Sequence, residues 1–549
     1  MNHSINDRFI ALPPADRRLL LAIAGSSLAV LVLGILAGLM TALARGGMLN
    51  FLPETGYRFL TVHGTSIFFY WLYLAQTGLL AGFSAIETGR GLAWRGLAMA
   101  GFAAIVVGFG FSMTGSVIGT PLLYDGASSL AIDEPVTVLV FNLGYLLLGL
   151  GLIALPAAAI ATLLVPRRDG SQPKFSSIGF ALFVWAGFLM VSGFAALYAF
   201  VPGTLWALGL AAFPDGQQTS WHILFHNMHY LPLMATVLMW YVLMQALTGV
   251  TSVFGARFSK IVFALYLVFV PPTSLYHMFL EPDLPETVKV AGSLLSLFVS
   301  VPTLTAFLIV IASLEVHART RGGRGLFGWI GMLPWHHPSM TAIGLAVVNM
   351  GLGLAFAFVL IQEKLAPLLS DTFFVPGYFH FFTVGTISLT LLAALGVMIP
   401  ALTGREMAQP GLMRWMPWLA SLGLLIFGGA GIAAGYLGVP RRVMDVSYAG
   451  EAPALWGSLM AAVAVGGTIM AAALLMFACG VAASLVPGRR IGPRLAVLDW
   501  GGAAPRPGAA AWVGPLSVLL IAAAMYLFTI VGFELMKTLP LTAIGGAGH

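Results

Sequence analysis

Apolar runs of 20 or more residues recur from one end of the chain to the other, at approximately 17–43, 56–86, 93–120, 135–165, 175–202, 219–247, 258–280, 288–314, 339–362, 373–402, 413–437, 453–486 and 512–535. Each is long enough to cross a hydrocarbon layer of about 30 Å as a helix. Only short polar segments separate them. Strands that cross a membrane alternate apolar and polar at every second residue, and these runs do not. The pattern therefore predicts an all-α integral membrane protein of about thirteen transmembrane helices. No stretch is left over for a soluble domain. Residues 1–549 read as one membrane-embedded unit, with 1–16 as a polar lead-in ahead of Arg17 and Arg18.

Composition agrees, because a chain that is 59% hydrophobic and 8% charged cannot be an ordinary soluble domain. Charge adds an orientation. With the N-terminus in the cytoplasm, 19 of the 26 Lys and Arg residues fall in cytoplasmic segments, among them Arg90, Arg167, Arg168, Arg319, Arg321 and Arg324. Arg45, Arg58, Lys289, Lys364, Arg441, Arg442 and Lys537 remain outside. The expected setting is a bacterial-type plasma membrane with the C-terminus outside. The net charge of +6 then reflects membrane orientation and contact with anionic lipid, and nothing in the chain calls for nucleic acid. The single cysteine, Cys479, excludes an intrachain disulfide and a thiolate metal cluster, so metal chemistry would rest on histidine.

Ionisable groups at membrane depth are costly, which makes each a candidate for function. Six histidines lie in predicted spans: His63, His222, His226, His229, His277 and His380. His63 and His380 sit at matched depth on the second and tenth spans. They can clasp a planar iron porphyrin from both faces, or they can be two core histidines bonded across helices. Gly64, next to His63, would let a flat ligand approach the backbone. His222, His226 and His229 share one helical face, with Tyr230 a turn beyond His226, and His277 follows Tyr276 near the end of the seventh span. If those spans pack together, His226 and His277 can bind one metal. The carboxylate of Glu281 belongs more naturally to a solvated loop.

Several stretches together resemble subunit I of the haem–copper oxygen reductases, and in particular its B-type branch. They are SLEVHARTRGGRGLFGWIGMLPWHHP at 313–338, LTVHGT at 60–65, HNMHY at 226–230, VPGYFH at 375–380 and VPRR at 439–442. They occur in that family's order and at nearly its spacings. The resemblance implies a low-spin haem on His63 and His380, with a high-spin haem facing a metal. It also implies His226 as first metal ligand and Tyr230 as the tyrosine joined to a metal-ligating histidine. Arg441 and Arg442 match the pair that holds haem propionates, a role suited to arginine–carboxylate pairing. Asp371 and Thr372 match the H-D-T that precedes the haem-ligating helix.

Two departures from the family bear on function. Its H-H in the seventh span is Tyr276-His277 here, and its H-F-H in the tenth is Tyr378-Phe379-His380. Residues i and i+2 point about 200° apart around a helix, so Tyr378 and His380 serve opposite sides. Tyr378 then stands where a high-spin haem would have its proximal imidazole. A tyrosinate can ligate haem iron, and Tyr276 can donate oxygen to copper or non-haem iron. Alternatively, the second haem and the metal have been lost.

The resemblance implies a respiratory subunit that carries electrons through the low-spin haem to a haem–metal centre reducing oxygen. Tyr276 leans toward nitric oxide as an alternative. A non-catalytic haem protein for electron transfer or sensing is the reading from a different class. Electrons would enter from a subunit II, copper-binding or cytochrome, or directly from a soluble cytochrome or a quinol. The hydroxyls of Ser293, Ser296, Thr303 and Thr305 lie along the eighth span as candidates for a proton route, although such groups commonly bond back to their own helix.

Overall fold

The computed structural model describes residues 4–172, 174–214, 225, 232–270, 300–360, 362 and 365–486. Within them the chain is a bundle of helices: α1 Pro14–Arg45, α2 Pro53–Thr88, α3 Arg95–Val117, α4 Pro135–Arg168, α5 Ser177–Ala207, α6 Leu233–Thr248, α7 Gly255–Phe269, α8 Ser300–Thr320, α9 Pro338–Leu360, α10 Phe374–Thr403, α11 Pro410–Tyr436 and α12 Ala454–Ala482. Ten described helices are long and apolar enough to cross a membrane. The shorter α6 and α7 coincide with the described parts of the expected sixth and seventh spans. The last expected run, 512–535, lies outside the described residues.

Local sequence sets the ends of these helices. Proline occupies the first position of α1, α2, α4 and α9, where its missing N–H has no intrahelical partner to lose. Gly89, Gly249 and Gly404 close α2, α6 and α10 in the left-handed region, with φ of 68°, 76° and 68°. Lipid is as apolar as a helix core, so burial rather than polarity distinguishes inner from outer helices. The central stretch of α2 is 94% buried and that of α10 is 89% buried, against 28% for α3. The helices carrying His63 and His380 are thus the most buried of the ten long described spans.

Two features hold α10 in place around His380. Gly377 has no side chain because α11 passes there: a Cβ would come within 2.7 Å of the Ile432 nitrogen. Just before α10, residues 371–373 pair with 439–441. The Phe373 N–H donates to the Val439 carbonyl at 2.7 Å, and the Arg441 N–H donates to the Asp371 carbonyl at 2.9 Å. This antiparallel bridge between Thr372 and Pro440 ties the start of α10 to the segment carrying both arginines.

Candidate functional site

His63 and His380 face each other across a cavity between α1, α2, α10, α11 and α12. Their ring planes are within 10° of parallel and their centres are 6.4 Å apart. Nδ1 of His63 lies 2.8 Å from the Gly34 carbonyl, and Nδ1 of His380 lies 2.7 Å from the Pro376 carbonyl. A carbonyl oxygen only accepts, so each Nδ1 carries the proton and each Nε2 keeps a lone pair. Two imidazoles bound through nitrogen at about 2 Å to one metal between them have ring centres roughly 6 Å apart, which is the spacing found. The bonds that fix the tautomers come from the backbone, so both rings are oriented before any ligand arrives.

The cavity between them has about 1050 Å³ of empty space when the open solvent at its mouth is counted. Its walls are chiefly Leu31, Ile35, Leu39, Phe68, Phe427 and Val463. An apolar slot with two opposed imidazoles suits a planar macrocycle that carries its own metal. Gly38 lines it for a steric reason: a Cβ there would lie 2.4 Å from Nδ1 of His63. Gly64 does something other than the sequence suggests. Its absent side chain faces Tyr124, where a Cβ would meet the Tyr124 Cβ at 2.5 Å, so the glycine admits a neighbouring loop rather than a flat ligand.

Polar groups gather at one end of the cavity. Arg45 and Arg441 line it, and Arg442 follows in sequence. Arg45 is 4% exposed, donates to the carbonyls of Arg441 at 2.5 Å and Pro440 at 2.6 Å, and lies over the Phe373 ring. Arg441 pairs with Asp371 at 2.8 Å, and Arg442 with Asp125 at 3.0 Å. Burial works against the charged form of Arg442, but Asp125, the Tyr124 hydroxyl and Asp371 outweigh it and hold the guanidinium more firmly protonated than an ordinary arginine. Each of the three arginines keeps a buried Nε without a hydrogen-bond partner among the described residues. The unused donors of Arg45 and Arg441 at one end of the apolar slot fit a ligand whose edge bears carboxylates. Arg45 was counted in the sequence only for membrane orientation.

Both histidines are followed by an unusual helical stretch. Thr65–Trp71 begins two residues after His63, and Phe381–Ser388 begins directly after His380; both run as π-helix. Such segments are rare and recur at functional sites, because the extra residue per turn re-aims the side chains around it. Nothing in TSIFFYW or FFTVGTIS marks this in advance.

The remaining sequence candidates divide. Tyr378 is 2% exposed and lies outside the cavity lining, as its spacing from His380 requires. Its ring packs with Phe374, Phe379 and Phe382 in an apolar cluster that includes Val359, Leu360, Leu365 and Leu369. Thr305 bonds back to the Val301 carbonyl at 2.7 Å, whereas Thr303 accepts from the Tyr266 hydroxyl at 3.2 Å. His222, His226, His229, Tyr230, Tyr276, His277, Glu281, Ser293 and Ser296 lie outside the described residues.

Two opposed imidazoles lie in an apolar cavity of a membrane-type helical bundle, and comparison with known proteins specifies the family. The family model for cytochrome c and quinol oxidase polypeptide I matches residues 18–469, so the chain belongs to the haem–copper oxidase subunit I family. Cytochrome c oxidase subunit 1 of Thermus thermophilus is 35% identical over 237 residues, 42% of each chain. Alternative cytochrome c oxidase subunit 1 of Bradyrhizobium diazoefficiens is 29% identical over 206 residues, 35% of this chain and 34% of that protein. The aligned stretches thus span less than half of these curated relatives. A haem–copper terminal oxidase dimer solved by cryo-electron microscopy shares the fold, with a TM-score of 0.79 and 20% identity over 95% of this chain and 92% of the other. The protein is a multi-pass membrane protein of this family.

Proposed function

We propose that the chain acts as an electron-carrying subunit I in which His63 and His380 hold a low-spin haem between α2 and α10. The parallel pair of rings with both Nδ1 atoms tied to backbone carbonyls is the observation that carries this reading. Bound there, the haem supplies a one-electron couple. The protein's own contribution is to orient both imidazoles in advance, keep water from the apolar walls, and offer Arg45, Arg441 and Arg442 to the propionates. Asp371 acts through Arg441 by holding its guanidinium. With both imidazoles committed to a haem held there, this site would relay electrons, and gas reduction would need a second centre.

For that second centre we propose the sequence-derived set: His226, His277 and Tyr276 for copper or non-haem iron, Tyr230 as local electron and proton donor, and Tyr378 on the side of α10 opposite His380. Oxygen is the proposed acceptor, with nitric oxide the alternative that oxygen ligation by Tyr276 would favour. The donor would be a subunit II, a soluble cytochrome or a quinol. A second reading, in which only the His63–His380 haem is retained, draws on the seating of Tyr378 among phenylalanines and aliphatic side chains.

Metal and haem stoichiometry of the purified protein tests both. Two haems and one further metal, with a carbon monoxide difference spectrum, are expected for the reductase. One haem with no further metal supports the relay. Under either reading His63→Ala and His380→Ala each abolish the low-spin spectrum, and its survival in both would overturn the assignment.

A further inference from the structure

We propose that the hydrogen bond between Trp71 and Ser388 is a positioning contact that fixes the mutual orientation of the His63 and His380 rings. The proposal rests on the reading that these two histidines hold haem iron. Trp71 is the last residue of the π-segment after His63, and Ser388 is the last residue of the π-segment after His380. Indole Nε1 of Trp71 donates to Oγ of Ser388 at 3.0 Å. Trp71 is fully buried, and Ser388 is 3% exposed and lines the cavity. Through Ser388 the bond reaches the cavity wall, with Trp71 packed behind it. On one side of it the histidines stand apart; on the other, Leu72–Thr88 of α2 packs against Leu389–Thr403 of α10.

The direction of a side chain above a π-segment depends on how much extra winding the segment takes up. Two such segments, one under each ligand, give two rotations that must agree for the rings to lie within 10° of parallel. A side-chain bond joining their ends is placed to enforce that agreement. The same part of α10 is pinned a second time, by Trp240 of α6, whose Nε1 donates to Oγ1 of Thr390 at 2.8 Å. With α10 so anchored, the Trp71–Ser388 bond sets the rotation of the α2 segment relative to it.

The ferric low-spin signal in electron paramagnetic resonance reads this orientation directly. Near-parallel axial imidazoles give a rhombic spectrum, and rotation toward perpendicular raises the largest g value. The experiment uses the full chain purified with its haem, carrying Trp71→Phe, Ser388→Ala, both together, or Ser388→Thr. Each of the first two should keep the haem and raise the largest g value, with a shift of midpoint potential in one common direction. The double variant should match the singles, because the same bond is lost, and Ser388→Thr, which keeps the hydroxyl, should return the original signal. An unchanged g value and potential in either single variant at full haem content would overturn the proposal, as would additive shifts in the double. Failure of the ligand assignment is separable: the low-spin signal would then survive in His63→Ala.

Discussion

Arg45 sits directly beneath the main chain of Arg441, donating from Nη1 to its carbonyl at 2.5 Å and from Nη2 to the Pro440 carbonyl at 2.6 Å. One buried arginine thus fastens the segment that presents another. Charge-assisted bonds of this kind are worth more than neutral ones, and removing the donor leaves both carbonyls to find other partners. Arg45→Met should destabilise the protein by about 2–4 kcal/mol, measured by thermal denaturation in detergent. Arg45→Lys should recover little, because one ammonium on a flexible stem does not reproduce the planar fork. By contrast, Asp371 is 74% exposed, so Asp371→Asn should change stability by less than about 1 kcal/mol.

How much of this was legible beforehand follows from what a sequence encodes locally. The spans were readable, since a membrane demands long apolar runs whatever their tertiary contacts. His63 and His380 stood out because a polar group in such a run has to have a reason. The depth argument left open whether they bond to each other or to a ligand; the carbonyls of Gly34 and Pro376 supply the answer for Nδ1 and come from packing the sequence does not display. Gly64 was visible as a glycine, but not the face it turns to Tyr124. Arg45 was visible as a charge near a span end, but not its reach to residues almost 400 positions away. The π-segments had no signature, because their residues are equally at home in an α-helix.

Gly38 tests the site without touching a ligand. A Cβ at that position would sit 2.4 Å from Nδ1 of His63, the atom already committed to the Gly34 carbonyl. The imidazole would have to move, and overpacking of this kind costs about 1–3 kcal/mol. Gly38→Ala should therefore weaken or abolish the low-spin haem spectrum while the protein still inserts and folds, as judged by circular dichroism and haem content on the same sample.

Tyr378 offers a test of opposite sign. Its ring is buried among Phe374, Phe379 and Phe382 and faces away from the His63–His380 cavity. Tyr378→Phe keeps the ring and its apolar contacts, so stability should change by about 1 kcal/mol or less and the low-spin spectrum should be untouched. Optical spectra with and without carbon monoxide check both points. Disappearance of a high-spin, carbon monoxide-binding component in this variant would identify the Tyr378 hydroxyl as a ligand to a second haem.

His337 gives the fold a pH dependence outside the membrane spans. Its Nδ1 accepts the Ser339 N–H at 3.2 Å, satisfying one of the free donors at the start of α9, which only the deprotonated nitrogen can do. Burial, and then the neighbouring His336, push its pKa down from the usual 6.5 to about 4. Because the folded value lies below the unfolded one, the contribution to stability is complete above about pH 6.5 and is lost as pH falls toward 4. His337→Asn keeps a side-chain acceptor that does not titrate in this range. Thermal midpoints measured between pH 7.5 and 4.5, a window of about three units around the ordinary histidine pKa, should fall less steeply for the variant than for the parent chain. Superimposable profiles would show that His337 titrates equally in the folded and unfolded chains and that the cap contributes no pH dependence.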